Sequence, residues 1–297
     1  MPHRYGHAVL CGRPNVGKST LLNAMVGMPI SIVTPKPHTT RFEVRGIVTR
    51  PDAQIALLDA PGIEGGARAI GRRLGWIGRH AVASADVLVQ VVEALRWTDS
   101  DEAVWKLVAT RPGVPRLLVV NKVDKIQDKA ALLPYAKAIT DAHPFDGVHF
   151  LCARRIDGVA GLCDDLAGRL PEGPARFDAE IPTDRSVRFL AAEFVREQVM
   201  RQLSDELPYA AAVDVTEFDE SGDPVKVRCR IWVERPSQKA IVIGAGGERI
   251  KAIGTAARIR IERMLGRHVY LELAVEVHAD WSDDAKALDR LGYAVPR

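Results

Sequence analysis

The sequence predicts an α/β domain with a doubly wound, mostly parallel sheet, followed by a smaller α+β domain. Three observations carry that prediction. In the first half, short and near-continuously apolar runs alternate with longer amphipathic stretches, as expected of a sheet covered by helices on both faces. A stretch rich in proline, glycine and charge at 171–184 interrupts the alternation. Beyond it the order changes to helix, strand, strand, helix, strand. At 297 residues the chain is long for one domain and suits two.

The apolar runs 8–11, 54–58, 87–92, 116–120 and 148–151 read as the strands of the first domain. Stretches 18–26, 69–83, 99–110 and 131–142 read as the helices between them, and 158–170 as the last helix. The first domain is therefore set at 1–172, the linker at 173–184 and the second domain at 185–297. In the second domain Ala191, Val195, Val199 and Leu203 recur every four residues, an apolar helical stripe. Strands follow at 211–218 and 225–234, separated by a turn at 219–224. A short apolar run at 240–243, a glycine loop at 244–247 and a helix reaching Leu265 come next. That helix has Ile250, Ile253, Ala257, Ile261 and Met264 as its expected buried face, and a strand at 269–277 closes the unit.

Composition excludes more than it assigns. The apolar fraction of 47% is ordinary for a globular chain, and the net charge of +3 points to no partner. No apolar run approaches the ~20 residues that cross a bilayer, and residues 1–7 carry no signal-peptide core, so the chain is expected in the cytosol. Cys11, Cys152, Cys163 and Cys229 form no C-x-x-C pair, which argues against a zinc site and a disulfide framework.

The chemistry lies at the carboxyl ends of the strands, where ligands bind on such sheets. Gly12-Arg13-Pro14-Asn15-Val16-Gly17-Lys18-Ser19, followed by Thr20, fits G-x-x-x-x-G-K-[ST] between a strand and a helix. Its glycines let backbone N–H groups curl around phosphate at a helix N-terminus. Lys18 is expected to meet the β- and γ-phosphates, and the Ser19 hydroxyl to ligate Mg²⁺. Asp59-Ala60-Pro61-Gly62 follows by about 40 residues at a strand end and fits D-x-x-G. Asp59 would hold the ion through a water, and the Gly62 N–H would touch the γ-phosphate. Asn121-Lys122-Val123-Asp124 fits N-K-x-D. The Asp124 carboxylate can accept two hydrogen bonds from the guanine edge, donors that adenine lacks. This tetrapeptide selects GTP and GDP over adenine nucleotides. Cys152-Ala153-Arg154 occupies the place of the Ser-Ala-x loop of guanine sites, with the Ala153 N–H facing the base oxygen and the serine hydroxyl lost.

Between the first two motifs lies 34–41, Thr-Pro-Lys-Pro-His-Thr-Thr-Arg. A threonine here would complete the Mg²⁺ shell and order the loop in the triphosphate state; Thr40 is assigned, with Thr39 as the alternative. Lys18, Thr40 and Gly62 are thus the expected catalytic groups. Ile63 stands where many GTPases carry a water-positioning glutamine, so slow intrinsic hydrolysis is expected. Asn15 is placed to help hold a monovalent cation, K⁺, beside the phosphates, which predicts faster hydrolysis in K⁺ than in Na⁺.

In the second domain, 225–268 carries 11 Lys and Arg against 3 Asp and Glu, a local net charge of +8. At its centre Gly244-Ala245-Gly246-Gly247 forms a G-x-x-G loop opening a helix, flanked by Lys239, Ile243, Arg249, Ile250, Lys251 and Arg258. Such a loop lets a nucleic-acid backbone approach closely, and with the element order it indicates a type II KH RNA-binding domain. The usual basic residue in the loop is replaced by the uncharged pair Ala245-Gly246.

The motifs above, with T-D-R-S-V-R-F-L at 183–190, E-L-P-Y at 206–209, V-Y-L-E-L-A-V-E-V at 269–277 and L-G-Y at 291–293, resemble the Era family of bacterial GTPases over essentially the whole chain. Departures are Ala60 for Thr, Cys152 for Ser and the uncharged loop. The resemblance implies a monomeric P-loop GTPase that assists 30S subunit assembly. It would bind the 3′ region of small-subunit ribosomal RNA through its KH domain, in the cytoplasm with peripheral contact at the inner membrane. Two rival readings are a GTP-dependent switch docking on a protein or membrane surface, and a P-loop phosphotransferase, for which no acceptor site is evident.

Overall fold

The computed structural model describes residues 2–61, 68–155 and 158–293. Among these, contacts divide the chain into two compact units. The first gathers described residues within Met1–Ser31, Thr40–Gly65 and Leu74–Asp184, and the second those within Ile32–Thr39, Gly66–Arg73 and Arg185–Arg297.

The first unit holds a six-stranded sheet of β1 (Arg4–Cys11), β2 (Val44–Thr49), β3 (Ala53–Asp59), β4 (Val87–Glu93), β5 (Arg116–Asn121) and β6 (Gly147–Phe150). Its order is β2-β3-β1-β4-β5-β6. All pairings are parallel except β2 with β3. Every residue of β3 is buried, because both faces of the sheet are covered, and such strands read as unbroken apolar runs. The sequence reading omits β2, an edge strand in which Arg45 and Gly46 break the apolar run. Gly46 is required there: a Cβ would lie 2.5 Å from the Val26 side chain.

Helices α1 (Lys18–Val26), α2 (Ala69–Ala83), α3 (Asp99–Val108), α4 (Leu132–Ala142) and α5 (Ala160–Arg169) alternate with the strands. Val104, Trp105 and Val108 of α3 pack with Val9, Leu58 and Leu88 of the sheet in one apolar cluster. Each such side chain contributes about 1.5–3 kcal/mol on burial. The stretch 173–184, set as the linker, is bound to the first unit. The buried Gln54 side chain accepts from the Arg176 and Phe177 N–H groups (2.8 and 3.0 Å) and donates to the Phe177 carbonyl (2.8 Å). The Thr183 hydroxyl donates to the Arg45 carbonyl at 2.6 Å.

The second unit carries α6 (Val187–Gln202), β7 (Ala212–Asp219), β8 (Val225–Val233), α7 (Pro236–Ile243), α8 (Glu248–Leu265), β9 (Val269–Val277) and α9 (Ala285–Arg290). Its sheet runs β7-β8-β9, with β8 antiparallel to β7 and parallel to β9. The run 240–243 proves to be the end of α7, which starts on Pro236 in the first turn and has Gln238 accepting from the Glu234 and Arg235 N–H groups. The stripe on α6 is wider than expected. Glu193, Arg196 and Glu197 are buried too, with Arg196 paired bidentately to Glu193 at 2.6 Å. On α8, Ile253, Ala257 and Ile261 are fully buried, whereas Ile250 and Met264 are half-buried near its ends.

Candidate functional site

The loop 12–17 turns from β1 into α1 through three left-handed or near-left-handed residues, Gly12 (φ +152°), Asn15 (φ +63°) and Gly17 (φ +109°). At both glycines a side chain is excluded. A Cβ on Gly12 would lie 2.4 Å from the Val91 carbonyl oxygen, and one on Gly17 would lie 2.3 Å from Asn121 Nδ2. Val16 is buried, Arg13 and Pro14 are half-buried, and the Asn15 side chain stands exposed. Lys18 opens α1 and folds over the loop, its Nζ donating to the Gly12 and Arg13 carbonyls at 2.7 and 3.1 Å. Burial pulls the Lys18 pKa down and pushes that of Asp59 up, each charge partly offsetting the shift of the other.

Asn121, at the end of β5, ties three of the expected motifs together. Its Nδ2 donates to the Val16 carbonyl at 2.7 Å; its Oδ1 accepts from the Lys122 N–H at 2.7 Å and the Ala153 N–H at 2.9 Å. The Ala153 N–H, expected to face the base oxygen, is thus engaged by Asn121. Asp124 is exposed, and Arg154 beside it also. Cys152 lacks the serine hydroxyl, and its thiol is the largest influence that holds the Asp124 carboxyl below its ordinary range.

Lys122 adopts a left-handed conformation (φ +63°) unusual for its type. Its Nζ reaches Glu93 Oε1 at 3.0 Å, while the Arg13 guanidinium meets Glu93 Oε2 at 3.0 Å and Asp101 Oδ2 at 3.1 Å. Asp101, fully buried, also caps α3 through the Thr98 N–H and hydroxyl (3.0 and 2.7 Å). Burial pushes the Glu93 carboxyl up, but the Lys122 and Arg13 hydrogen bonds outweigh it and hold the group below its usual range. Sequence reading missed Glu93 and Asp101, which belong to no tetrapeptide motif; the one available signal was Thr98-x-x-Asp101 as a helix start.

Below α1, three hydroxyls converge on one carboxylate oxygen. Asp59 Oδ2 accepts from Ser19 (2.5 Å), Ser31 (3.0 Å) and Thr40 (3.4 Å), and Ser19 and Thr40 lie 3.1 Å apart. Asp59 is fully buried, and its Oδ1 has no hydrogen-bond partner among the described residues. Hydroxyls plus one carboxylate are the hard oxygen set that suits Mg²⁺, which keeps waters and phosphate oxygens as its other ligands. Among the described residues no three His, Cys, Asp or Glu cluster as a metal cage, so a closed protein site is not what this corner offers. Ala60 and Pro61 follow, both buried. Gly62 and Ile63 lie outside the described residues. Thr39, the alternative to Thr40, instead hydrogen-bonds Thr34 at 2.6 Å.

In the second unit, Gly244 (φ +76°), Gly246 (φ +57°) and Gly247 (φ +80°) turn α7 into α8. Ala245 and Gly246 are exposed at the loop, and Gly246 has open space where a Cβ would be. Lys239, Arg249 and Lys251 are exposed around it, Arg249 donating to the Ile241 carbonyl at 2.7 Å. Ile241 adds an exposed apolar group, 47% accessible. The local charge is smaller than the count of +8 suggests. Arg228 pairs with Glu217 and Glu272, Arg230 with Asp214 and Glu276, and Arg260 with Glu197. Arg258 lies 3.7 Å from Glu262. Lys239, Arg249 and Lys251, near the glycine loop, form no ion pair among the described residues and are among the basic groups left to meet a ligand.

Comparison with known proteins matches residues 7–122 to a family described as 50S ribosome-binding GTPase and residues 206–282 to the KH domain. Relatives called GTPase Era include that of Stenotrophomonas maltophilia (strain R551-3), 45% identical, and that of Xanthomonas axonopodis pv. citri, 46% identical, each over 98% of both chains. The fold is similar to a crystal structure of Era in complex with MgGDPNP and nucleotides 1506–1542 of 16S ribosomal RNA. The match has a TM-score of 0.93 at 35% identity and covers 99% of this chain and 100% of that one. A second match is a point variant of Aquifex aeolicus Era bound to GDP·AlF4⁻ (TM-score 0.92, 35% identity, 98% and 100% covered). No helix among the described residues is long and apolar enough to cross a membrane.

Proposed function

Because the chain belongs to the Era family of GTPases, we propose that its GTP state controls binding of the 3′ region of small-subunit ribosomal RNA by its KH domain during 30S assembly. The observation that carries the nucleotide half of this reading is Asn121, whose one amide braces the phosphate loop, the N-K-x-D loop and the Cys152-Ala153-Arg154 loop. Residues 12–20 cradle the phosphates, Lys18 neutralising charge that develops on them. Asp124 reads the guanine edge. Ser19, Thr40 and, through a water, Asp59 hold Mg²⁺, whose charge supplies electrostatic stabilisation to the transferring phosphoryl group. Ala60 and Pro61 continue the motif whose Gly62, outside the described residues, is assigned the γ-phosphate contact, and Asn15, exposed beside the loop, helps hold K⁺.

The RNA half rests on the exposed glycine loop at the start of α8 with Lys239, Arg249 and Lys251 around it. Ile243, Gly244, Ala245, Gly246, Gly247 and Ile250 form the close backbone approach, and Arg258 extends the track along the helix. The protein acts as a monomer in the cytoplasm, with peripheral contact at the inner membrane. The test is binding of a 3′-terminal small-subunit rRNA oligomer to protein loaded with a non-hydrolysable GTP analogue or with GDP. GTP-dependent binding lost on Gly246→Asp supports the reading. Binding no better than to a scrambled oligomer in both nucleotide states refutes the RNA half and leaves the GTPase.

A further inference from the structure

We propose that Ser31, anchored by Asn23, is a positioning residue that fixes which oxygen of Asp59 faces the Mg²⁺ ion. The inference rests on the reading of Ser19, Thr40 and Asp59 as the metal corner. It concerns a residue that belongs to none of the nucleotide motifs and lies in the apolar run Met28-Pro-Ile-Ser-Ile-Val33.

The geometry separates Ser31 from its two companions. Ser19 and Thr40 present oxygens that the ion itself would ligate, and Thr40 meets Asp59 at the weak limit of a hydrogen bond, 3.4 Å. Ser31 is 1% exposed, and its hydroxyl donates to Asp59 Oδ2 at 3.0 Å. Its backbone is held as well. Asn23 Oδ1 accepts from the Ile30 and Ser31 N–H groups (3.0 and 2.9 Å), and Asn23 Nδ2 donates to the Ser31 carbonyl at 2.7 Å. Asn23 sits on α1, one turn beyond Ser19, so the anchor is a rigid helix rather than a loop. Ser31 therefore keeps its grip on Oδ2 whatever Ser19 and Thr40 do, and a carboxylate held by one oxygen presents the other. That other oxygen, Oδ1, is the buried atom without a hydrogen-bond partner among the described residues.

A carboxylate has two-fold rotational freedom about its last bond, and a ligand free to turn gives up orientation each time the ion binds. Groups that orient a metal's ligands from behind change metal affinity by about 10–100-fold when removed. Ser31 stands in that position to the ion, and Asn23 stands behind Ser31.

The experiment follows dissociation of a fluorescent GDP from the full chain across a Mg²⁺ titration, with an EDTA arm that reports nucleotide held without the ion. In Ser31→Ala the Mg²⁺ concentration needed for half-maximal retention rises about tenfold, while the EDTA rate stays within about twofold of wild type. Asn23→Ala shifts the midpoint in the same direction by less. Ser31→Cys, close in volume with a poorer donor, gives an intermediate midpoint and serves if the alanine variant fails to fold. An unchanged midpoint in Ser31→Ala and Ser31→Cys overturns the proposal. So does an EDTA rate raised as much as the Mg²⁺ rate, because Ser31 would then only brace its loop. Wild-type retention indifferent to Mg²⁺ would instead remove the metal corner itself, and this proposal with it.

Discussion

Glu93→Gln separates the ion-pair network from the motifs it supports. Glu93 accepts from Lys122 and Arg13, both at 3.0 Å, and its side chain is 20% exposed. A hydrogen bond to a charged group contributes about 1.5–3 kcal/mol when buried, and partial exposure lowers that. After the change Arg13 still has Asp101 at 3.1 Å, and the glutamine oxygen still accepts one bond. The net loss is about 2 kcal/mol, which for a unit of this size lowers its melting temperature by roughly 4–8 °C. The pH dependence carries the argument further. A carboxyl whose folded pKa lies below its ordinary value contributes stability above that value and loses it as pH falls through the folded one. The gap between wild type and variant, followed by thermal melts, should therefore be constant from neutral pH down to about 5, shrink as the unfolded carboxyl begins to protonate, and close once pH falls through the lower folded value. No gap at pH 7 would refute the stabilising role. A gap that persists under acid would show that it comes from packing rather than charge.

Other expectations follow from the same geometry. Cys152→Ala should weaken GDP binding about 2–10-fold by calorimetry, because the thiol favours the charged form of Asp124, and Cys152→Ser should restore or tighten it. Cys152 is the one cysteine of the four that is not buried, so a maleimide should label it first and GDP should protect it. Gly17→Ala should abolish nucleotide binding, because the new Cβ would fall on Asn121 Nδ2; unimpaired binding would refute the close-approach argument. Lys251→Ala should weaken RNA binding alike for all sequences and reduce the slope of log affinity against log salt by about one. An unchanged slope would place Lys251 away from phosphate.

What the sequence disclosed follows from how each feature is built. Gly12, Gly17 and Lys18 were legible because phosphate contact dictates their backbone and side chain at fixed spacing. Strand β3 was legible because burial on both faces leaves an unbroken apolar run. Strand β2 was not, because an edge position admits Arg45 beside Val44 and Ile47. Ser31 and Glu93 were illegible for a different reason: their partners lie tens of residues away, and pairing across elements leaves no period in the chain. The charge of 225–268 misled in the same way. A count cannot see that Arg228 and Arg230 meet carboxylates on the neighbouring strands.

The amide of Asn121 also has a consequence for how these loops can vary. One side chain serves the turn at Val16, the turn at Lys122 and the turn at Ala153, so a displacement of any one of them is felt by the other two. Substitutions in separate loops, though remote in sequence, will not combine independently: damage at one leaves less for a second to damage, and the pair will show strong epistasis. Drift in the phosphate loop is thereby constrained by the loops that meet the base.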